Sequence, residues 1–275
     1  TVSLGLLVAL LDAGFLPHEV AYIKPATQCV SSTLVARFCE DQGIACEHIG
    51  PVVYYRGFTR KQLDNPDGRS SDALVAQCSE AVSRISKGKR ITVIDGVGYP
   101  SVGSIVGCSS ADIAVACAAP VLLVGKPGVG DAVDSFNLCA RFFEAQAVPV
   151  LGAIFNRLSP SGFYSLDSCR RYVCKYMALS RPRQRVYGML PTHDTLGTLG
   201  AEEACGLSFE RPKVPPSAGP MTEQDRAAVA VLSTLFRQHV DLKQLLADLE
   251  DATARPSAWA ADLAKYPVQP SGAGG

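Results

Sequence analysis

The sequence predicts an α/β fold in which a mostly parallel sheet is covered by helices on both faces, with a small helical appendage at the C-terminal end. Short apolar, β-branched runs alternate with amphipathic helical patterns along residues 1–212. The runs are apolar throughout, which is typical of strands buried on both faces of a parallel sheet. Right-handed crossovers then bring the carboxyl ends of all strands to one edge, where ligands bind.

The elements can be assigned in chain order. An apolar helix opens the chain, from Thr1 to Leu11. The predicted strands are 20–24, 91–95, 120–125, 149–155 and 185–190. The predicted helices are 31–42, 72–86, 109–118, 131–147 and 165–179. The segment 43–69 fits neither pattern, and its aromatic and basic residues are expected on the ligand side of the sheet.

Three prolines within residues 213–220 prevent a helix, so 213–221 is predicted to be a linker after a domain of residues 1–212. Residues 222–254 are predicted to form the helical appendage, with Thr222 and Asp241 as N-caps of two helices. The segment 255–275 is rich in Pro, Ala, Ser and Gly and is expected to be disordered.

Composition excludes several classes of partner. Lys and Arg together number 26, as do Asp and Glu, so no net field attracts nucleic acid or an anionic membrane. No uncharged apolar run reaches the roughly 20 residues that cross a bilayer. The ten cysteines show no C-x-x-C pair and no Cys/His metal spacing, which indicates free thiols in a reducing compartment, the cytoplasm or an organelle matrix.

Two residues suggest a phosphate site. Thr1 heads a buried helix, as the last residue of a phosphate-binding loop does, so the G-x-x-x-x-G-K part of such a loop is expected just before it. Lys24 ends an apolar strand, and its ammonium group must face solvent or an anion, because burying it unpaired is costly.

Two acids are candidates for a metal site. Asp72 lies in the first turn of a helix and is either an acid stabilised by the helix dipole or a metal ligand. Asp95 ends a strand and is followed by Gly96 and Gly98, so it is either a Mg²⁺-binding carboxylate or a solvated turn residue.

Asn156 ends a strand, and its amide offers both a donor and an acceptor to the edge of adenine, although a strand-end Asn taken alone is more often a turn residue. The end of the last strand, Leu190, Pro191 and Thr192, could line the base from its other side.

The loop 125–131 contains Gly and Lys without the G-K-[ST] order and is expected on the substrate side or at a dimer contact. Motifs for hydride transfer or serine and zinc hydrolysis are absent from the sequence.

Five segments, in this order, resemble the dethiobiotin synthetase family of P-loop NTPases over about residues 1–195: Thr1-Val2, Ile23-Lys24-Pro25, Ser71-Asp72-Ala73-Leu74, Ile94-Asp95-Gly96-Val97-Gly98 and Ala153-Ile154-Phe155-Asn156. The opening Thr1 to Gly5 also resembles the nucleotide-binding N-terminal domain of some phosphate acetyltransferases. The segment Phe236 to Leu242 resembles one that closes the synthetase domain of cobyrinic acid a,c-diamide synthases.

The resemblance implies a three-layer P-loop NTPase sandwich that binds ATP and Mg²⁺. Thr1 would hold Mg²⁺ and the β- and γ-phosphates, and Asp72 and Asp95 would complete the metal contacts. Lys24 would be catalytic, facing the γ-phosphate and a carbamate made from CO₂ and a diamine. This chemistry needs positioning and neutralisation of negative charge, which these groups supply.

The resemblance further implies that Asn156 reads adenine, with Leu190, Pro191 and Thr192 beside the base. The expected activity is that of an ATP-dependent ligase acting on a small amine or carboxylate, as in biotin biosynthesis. The expected partners are a small-molecule substrate and a second copy of the chain in a homodimer, with neither nucleic acid nor membrane.

Three features depart from the family pattern. Asp95 stands where the synthetases have Glu, residues 25–29 lack the Ser-Gly turn that holds the diamine, and the segment 54–58 lies where substrate should enter. These departures favour nucleotide binding over dethiobiotin synthesis. They leave an alternative open, a nucleotide-sensing regulatory module with little turnover.

Overall fold

The structure is a computed structural model, and it describes residues 1–28, 30–64, 70–197, 217–257 and 259. The chain divides into two compact units. The first comprises Thr1–Cys117 and His193–Arg237, and the second comprises Ala118–Thr192 and Gln238–Gly275.

The first unit contains most of the helices. Its elements are α1 (Val2–Asp12), β1 (Val20–Ile23), β2 (Ala26–Thr27), α2 (Leu34–Gln42), β3 (Ala45–Glu47), β4 (Val52–Val53), α3 (Phe58–Asp64), α4 (Ser71–Ser86), β5 (Ile91–Ile94), α5 (Ser110–Ala116), α8 (Asp194–Gly197) and nearly all of α9 (Glu223–His239). The second unit contains β6 (Val121–Gly125), α6 (Gly130–Glu144), β7 (Val150–Leu158), α7 (Leu166–Ser180), β8 (Arg185–Pro191) and α10 (Leu242–Ala254).

All strand pairings within the sheets described are parallel, in the orders β3-β1-β5, β2-β4 and β6-β7-β8. The five predicted strands and the helices between them are present, with ends that differ by at most three residues. The predicted α/β class with parallel sheets and C-terminal helices is therefore confirmed.

The segment 43–69 contains short regular elements where the structure describes it. It contributes β3, β4 and α3, and the rings of Tyr54 and Tyr55 pack edge-on against Phe58. Phe58 is buried in a cluster with Val97, and the Tyr54 hydroxyl donates to the Cys108 carbonyl at 2.5 Å. Phe58 therefore belongs to the core, and the partly buried rings of Tyr54 and Tyr55 pack against it, with the Tyr54 hydroxyl hydrogen-bonded.

Helix α1 is apolar on nearly every side, and its residues from Val2 to Leu10 are mostly buried. Helix α9 packs against it so closely that a Cβ on Gly5 would lie 2.0 Å from the Phe236 ring. Arg37 donates two hydrogen bonds, 3.0 and 2.9 Å, to the buried Asp225 at the start of α9. Helix α9 is therefore an integral part of the first unit's core.

In the second unit, Asp248 of α10 accepts hydrogen bonds from Arg185 Nε at 2.8 Å and the Tyr187 hydroxyl at 2.7 Å, both on β8. Asp241 caps α10 as predicted, accepting from Gln244 N at 3.0 Å. The predicted boundaries of linker, appendage and tail remain predictions, and residues 198–216 and 260–275 lie outside the described part of the chain.

Across the described residues, no helix is both long enough and apolar enough to span a membrane. Eight cysteines fall within this part of the chain, and all eight are free thiols.

Candidate functional site

The clearest constellation of charged residues lies at the carboxyl edge of the β3-β1-β5 sheet. Ile23 and Ile94 are register partners at the ends of β1 and β5, and the next residues along the chain are Lys24 and Asp95. The Lys24 Nζ lies 3.8 Å from Asp95 Oδ2, and each of the two side chains is 25% exposed. The parallel register thus brings together two of the predicted site residues.

Two residues that sequence reasoning missed also contact Asp95. Ser3, in the first turn of α1, donates to Asp95 Oδ1 at 3.0 Å, and the Tyr22 hydroxyl donates to Oδ2 at 2.6 Å. Burial and the neighbouring carboxylate raise the pKa of Tyr22 well above its ordinary value, so its hydroxyl stays protonated as a donor. The signal in the sequence was the two-residue strand period, which places Tyr22 and Lys24 on one face.

The backbone around Lys24 is fixed on both sides. Its N–H donates to the Glu47 carbonyl at 2.9 Å, and its own carbonyl accepts from Gly50 N at 3.1 Å. A Cβ on Gly50 would lie 2.4 Å from the Lys24 oxygen and 2.5 Å from the Pro25 oxygen. Glycine is thus required at position 50 so that this loop can approach the strand end that carries Lys24.

Thr1 and Asp72 lie at the N-terminal ends of two helices, α1 and α4. Thr1 is exposed, two residues before Ser3, and its carbonyl accepts from Gly5 N at 2.9 Å. Asp72 is exposed in the first turn of α4, where Ser70 is the N-cap and accepts from Ala73 N at 3.2 Å. Asp72 is therefore not the residue that caps this helix.

Asp72 and Asp95 each lie two residues before a member of the same hydrophobic cluster. Leu74 and Val97, each two residues further along the chain, are buried in the same hydrophobic cluster. No group of three or more His, Cys, Asp and Glu residues suited to a metal ion occurs among the residues that the structure describes. The predicted set of one hydroxyl and two carboxylates supplies hard oxygen donors, the kind that Mg²⁺ prefers alongside phosphate and water oxygens.

The residues predicted to contact adenine lie in the second unit, at the ends of β7 and β8. Asn156 is partly exposed, and its Oδ1 accepts from Arg157 N at 2.9 Å within β7, at a register irregularity where Arg157 has a φ of 64°. Leu158 pairs with Pro191, and Thr192 N donates to the Leu158 carbonyl at 2.8 Å.

The side chains at the end of β8 differ in accessibility. Leu190 is buried, whereas Pro191 is partly exposed and Thr192 is exposed. A ligand at this end of the second unit could therefore meet the side chains of Asn156, Pro191 and Thr192 directly.

The loop 125–131 precedes α6 and holds an ion pair in which Lys126 Nζ lies 3.6 Å from Asp131 Oδ1.

Parallel α/β architecture, with a lysine and an acid at adjoining strand ends beside the first turn of an apolar helix, is the arrangement of a nucleotide-binding P-loop NTPase. Comparison with protein families agrees. The AAA domain family (AAA_26) matches residues 1–198, and the chain belongs to this family, which is related to the dethiobiotin synthetase-like P-loop NTPases.

Among solved structures, the chain is similar to the MinC:MinD cell division protein complex of Aquifex aeolicus. The sequence identity is 15% and the TM-score is 0.38, and the alignment covers 74% of this chain and 81% of that chain. A search of curated proteins finds no match.

Proposed function

We propose that this protein binds ATP with Mg²⁺ and uses it as an ATP-dependent ligase on a small amine or carboxylate. The observation that carries the proposal is the Lys24–Asp95 pair at the carboxyl edge of the β3-β1-β5 sheet, joined to the first turn of α1 through Ser3. A cation, an acid and a helix N-terminus in one place are what a triphosphate and its divalent counter-ion need.

In this proposal each residue has a chemical role. The Thr1 hydroxyl and the carboxylates of Asp72 and Asp95 hold the metal, which would neutralise phosphate charge when bound. The Lys24 ammonium faces the γ-phosphate and stabilises the charge that grows during phosphoryl transfer. Gly50 supports this role because it fixes the backbone of Lys24.

The hydrogen bonds to Asp95 are compatible with metal binding. An ionised carboxylate offers about four acceptor positions. The Ser3 hydroxyl uses one of them on Oδ1, while the Tyr22 hydroxyl and the Lys24 ammonium face Oδ2. Oδ1 therefore keeps a lone pair for a cation while Oδ2 is held by two donors.

The metal role is tested with Asp95→Asn in the full-length protein. We expect Mg²⁺-dependent ATP binding, measured by calorimetry, to weaken at least about tenfold, or roughly 1.4 kcal/mol. Asp131→Asn is the matched control, because Asp131 is an exposed acid whose only described ion pair is with Lys126. Equal ATP affinity in both variants and the parent would remove Asp95 from the metal site.

The ligase role is tested by phosphate release from ATP, with Mg²⁺, bicarbonate and diaminopelargonate supplied together and singly. Release that depends on the diamine supports the synthetase reaction. Lys24→Met should then abolish release while leaving the fold intact by circular dichroism. The ligase proposal would be refuted if the rate of phosphate release did not change with any small amine or carboxylate tested.

A second candidate is a nucleotide-sensing regulatory module that binds ATP with little turnover. The observation that favours it is the packing of Tyr54, Tyr55 and Phe58 with one another in the core, since this segment stands where a diamine would enter. Binding of ATP with Mg²⁺ in calorimetry, together with no phosphate release, supports this candidate.

Base recognition is a separate proposal for the second unit. We expect Asn156→Ala to reduce the preference for ATP over GTP, because the Asn156 amide would lose its contact with the adenine edge. Ser161→Ala, at an exposed position just after β7, serves as the control. A homodimer and a reducing compartment remain predictions.

A further inference from the structure

A cavity in the second unit is lined by none of the residues assigned to the nucleotide site. It has a volume of about 360 Å³, and its lining comes from the turn before β8, from β8, from α10 and from the segment that follows α10, namely Pro182, Arg183, Arg185, Asp248, Asp251 and Trp259. Arg185 begins β8, so the cavity is at the amino end of the strand whose carboxyl end is Pro191. We propose that this cavity binds a small metabolite through a carboxylate or phosphate group of that metabolite.

The turn before β8 fixes the backbone of Arg183. Gln184 N donates to the Arg181 carbonyl at 2.9 Å, which closes a four-residue turn. Pro182 and Arg183 occupy its two central positions, and both are exposed. The two ends of the turn are buried and hydrogen-bonded, because Arg181 Nη1 donates to Gln184 Oε1 at 3.1 Å and Gln184 Nε2 donates to Glu144 Oε1 at 2.9 Å. The turn is therefore ordered before a ligand arrives, which lowers the entropic cost of binding.

Asp248 orients the second arginine of the cavity. Its carboxylate accepts from Arg185 Nε at 2.8 Å, from the Tyr187 hydroxyl at 2.7 Å and from Gln244 Nε2 at 2.8 Å. Three of the roughly four acceptor positions of a carboxylate are thus occupied, and this side chain is only 14% exposed. The Arg185 side chain is 54% exposed. Because Arg185 contacts Asp248 through Nε, its two Nη groups are the donors that can bind a carboxylate or phosphate as a fork.

Asp251, one helical turn after the first acid, also has its own donors. It accepts from Trp259 Nε1 at 2.8 Å and from Arg255 Nε at 3.0 Å, and these bonds lower the pKa of the carboxyl group. Among the described residues that line the cavity or form an ion pair with its acids, the arginines are Arg183, Arg185 and Arg255, one more than the carboxylates. An anionic ligand balances the charge of this set.

Size and lining narrow the class of ligand. Small-molecule sites in proteins have volumes of about 300–1,000 Å³, so this cavity suits a small metabolite and not a dinucleotide or a peptide. Planar guanidinium groups match the paired oxygens of carboxylates and phosphates, and the side chains of Pro182 and Trp259 add apolar surface. The proposal goes beyond the proposed ATP function and does not depend on it, because no residue of the cavity has a role there.

The experiment uses the fluorescence of Trp259, which is the only tryptophan in the sequence and lines the cavity. The full-length protein is titrated, without nucleotide, with inorganic phosphate, with pyrophosphate and with citrate, while sodium chloride keeps the ionic strength constant. We expect at least one of these anions to change the emission saturably, with half-saturation at or below about 1 mM. A response to the two phosphates alone identifies a phosphate ligand, and a response to citrate alone identifies a carboxylate ligand.

Variants test whether the arginines bind the anion. Arg183→Gln should raise the half-saturation concentration at least about tenfold, or roughly 1.4 kcal/mol, because the turn loses its cation. Arg185→Lys keeps the charge but cannot form the fork, so it should raise this concentration several-fold. Arg171→Gln is the matched control, because Arg171 is an exposed arginine of α7 in the same unit and does not line the cavity. Circular dichroism confirms that each variant is folded.

Two results would overturn the proposal. In the first, none of the three anions reaches half-saturation at or below about 1 mM, or sodium chloride alone reproduces the change in emission. In the second, folded Arg183→Gln and Arg185→Lys proteins bind the anion as tightly as the Arg171→Gln control, which would place the anion away from these arginines.

Discussion

Replacing Gly50 by Ala tests how the Lys24 backbone is held. The new methyl group would lie 2.4 to 2.6 Å from three backbone atoms, namely the oxygens of Lys24 and Pro25 and the Pro25 Cα. Contacts below 3.0 Å must be relieved by movement, and here the obstacles are main-chain atoms that cannot rotate away. Gly50 does not have a positive φ, so the requirement for glycine is steric and not conformational.

The magnitude follows from the hydrogen bonds that this movement breaks. Gly50 N donates to the Lys24 carbonyl at 3.1 Å and Val52 N to the Pro25 carbonyl at 3.3 Å, and a shift of several tenths of an ångström takes both beyond hydrogen-bonding range. Each such bond contributes about 1 kcal/mol, and overpacking adds about 1–3 kcal/mol. The reduced chain entropy of the unfolded Ala variant returns about 0.4–1 kcal/mol. We expect a net loss of about 2–4 kcal/mol in the free energy of unfolding.

Urea unfolding followed by far-ultraviolet circular dichroism measures this loss, and calorimetry measures ATP affinity in the same variant. Because the strand end that carries Lys24 moves, ATP binding should weaken even where the variant is fully folded. Gly130→Ala is the matched control, since a Cβ there would meet no atom within 4 Å. A Gly50→Ala protein as stable as this control, with unchanged ATP affinity, would refute the reasoning.

Three further predictions concern the first unit. Tyr22→Phe removes the 2.6 Å bond to Asp95 and should lower the free energy of unfolding by about 1.5–3 kcal/mol in a urea titration, whereas an unchanged value would show that the hydroxyl contributes nothing net. Phe236→Ala leaves a cavity against Gly5 and should cost about 3–5 kcal/mol, with faster hydrogen exchange in α1; unaltered exchange there would contradict the packing of α9 on α1. For Asp225, burial raises the pKa, but the hydrogen bonds from Arg37 and Thr222 outweigh it and leave the pKa below its ordinary value. The free energy of unfolding of the parent should therefore exceed that of Asp225→Asn by a constant amount above about pH 5, and this difference should shrink as the pH falls below about 4. A difference that grew in acid would contradict this sign.

The secondary structure was predictable because it depends on local pattern. Continuous apolar runs identified β1, β5, β6, β7 and β8, and the polar residues that follow them identified Lys24 and Asp95 as site candidates. That β1 and β5 are adjacent, so that these two residues meet, came from the structure. The short strands β2, β3 and β4 were missed because two or three residues carry too little periodicity to be recognised. Their positions depend on contacts between residues distant in sequence.

The aromatic segment 54–58 shows why function was harder to assign than fold. Its composition predicted aromatic residues on the ligand side of the sheet, and the structure shows Phe58 buried with the partly buried rings of Tyr54 and Tyr55 packed against it. An aromatic side chain can pack in the core or contact a ligand, and composition does not say which. Only the packing around the side chain distinguishes these two roles.

By itself, the sequence determined the fold class, the order of the elements and the identity of the residues that end the strands, since all three depend on neighbours along the chain. The tertiary structure alone decided that Ser3 and Tyr22 hold Asp95 and that Phe236 lies against Gly5. Such contacts depend on the distance and direction between side chains that folding brings together, and no local pattern encodes these quantities.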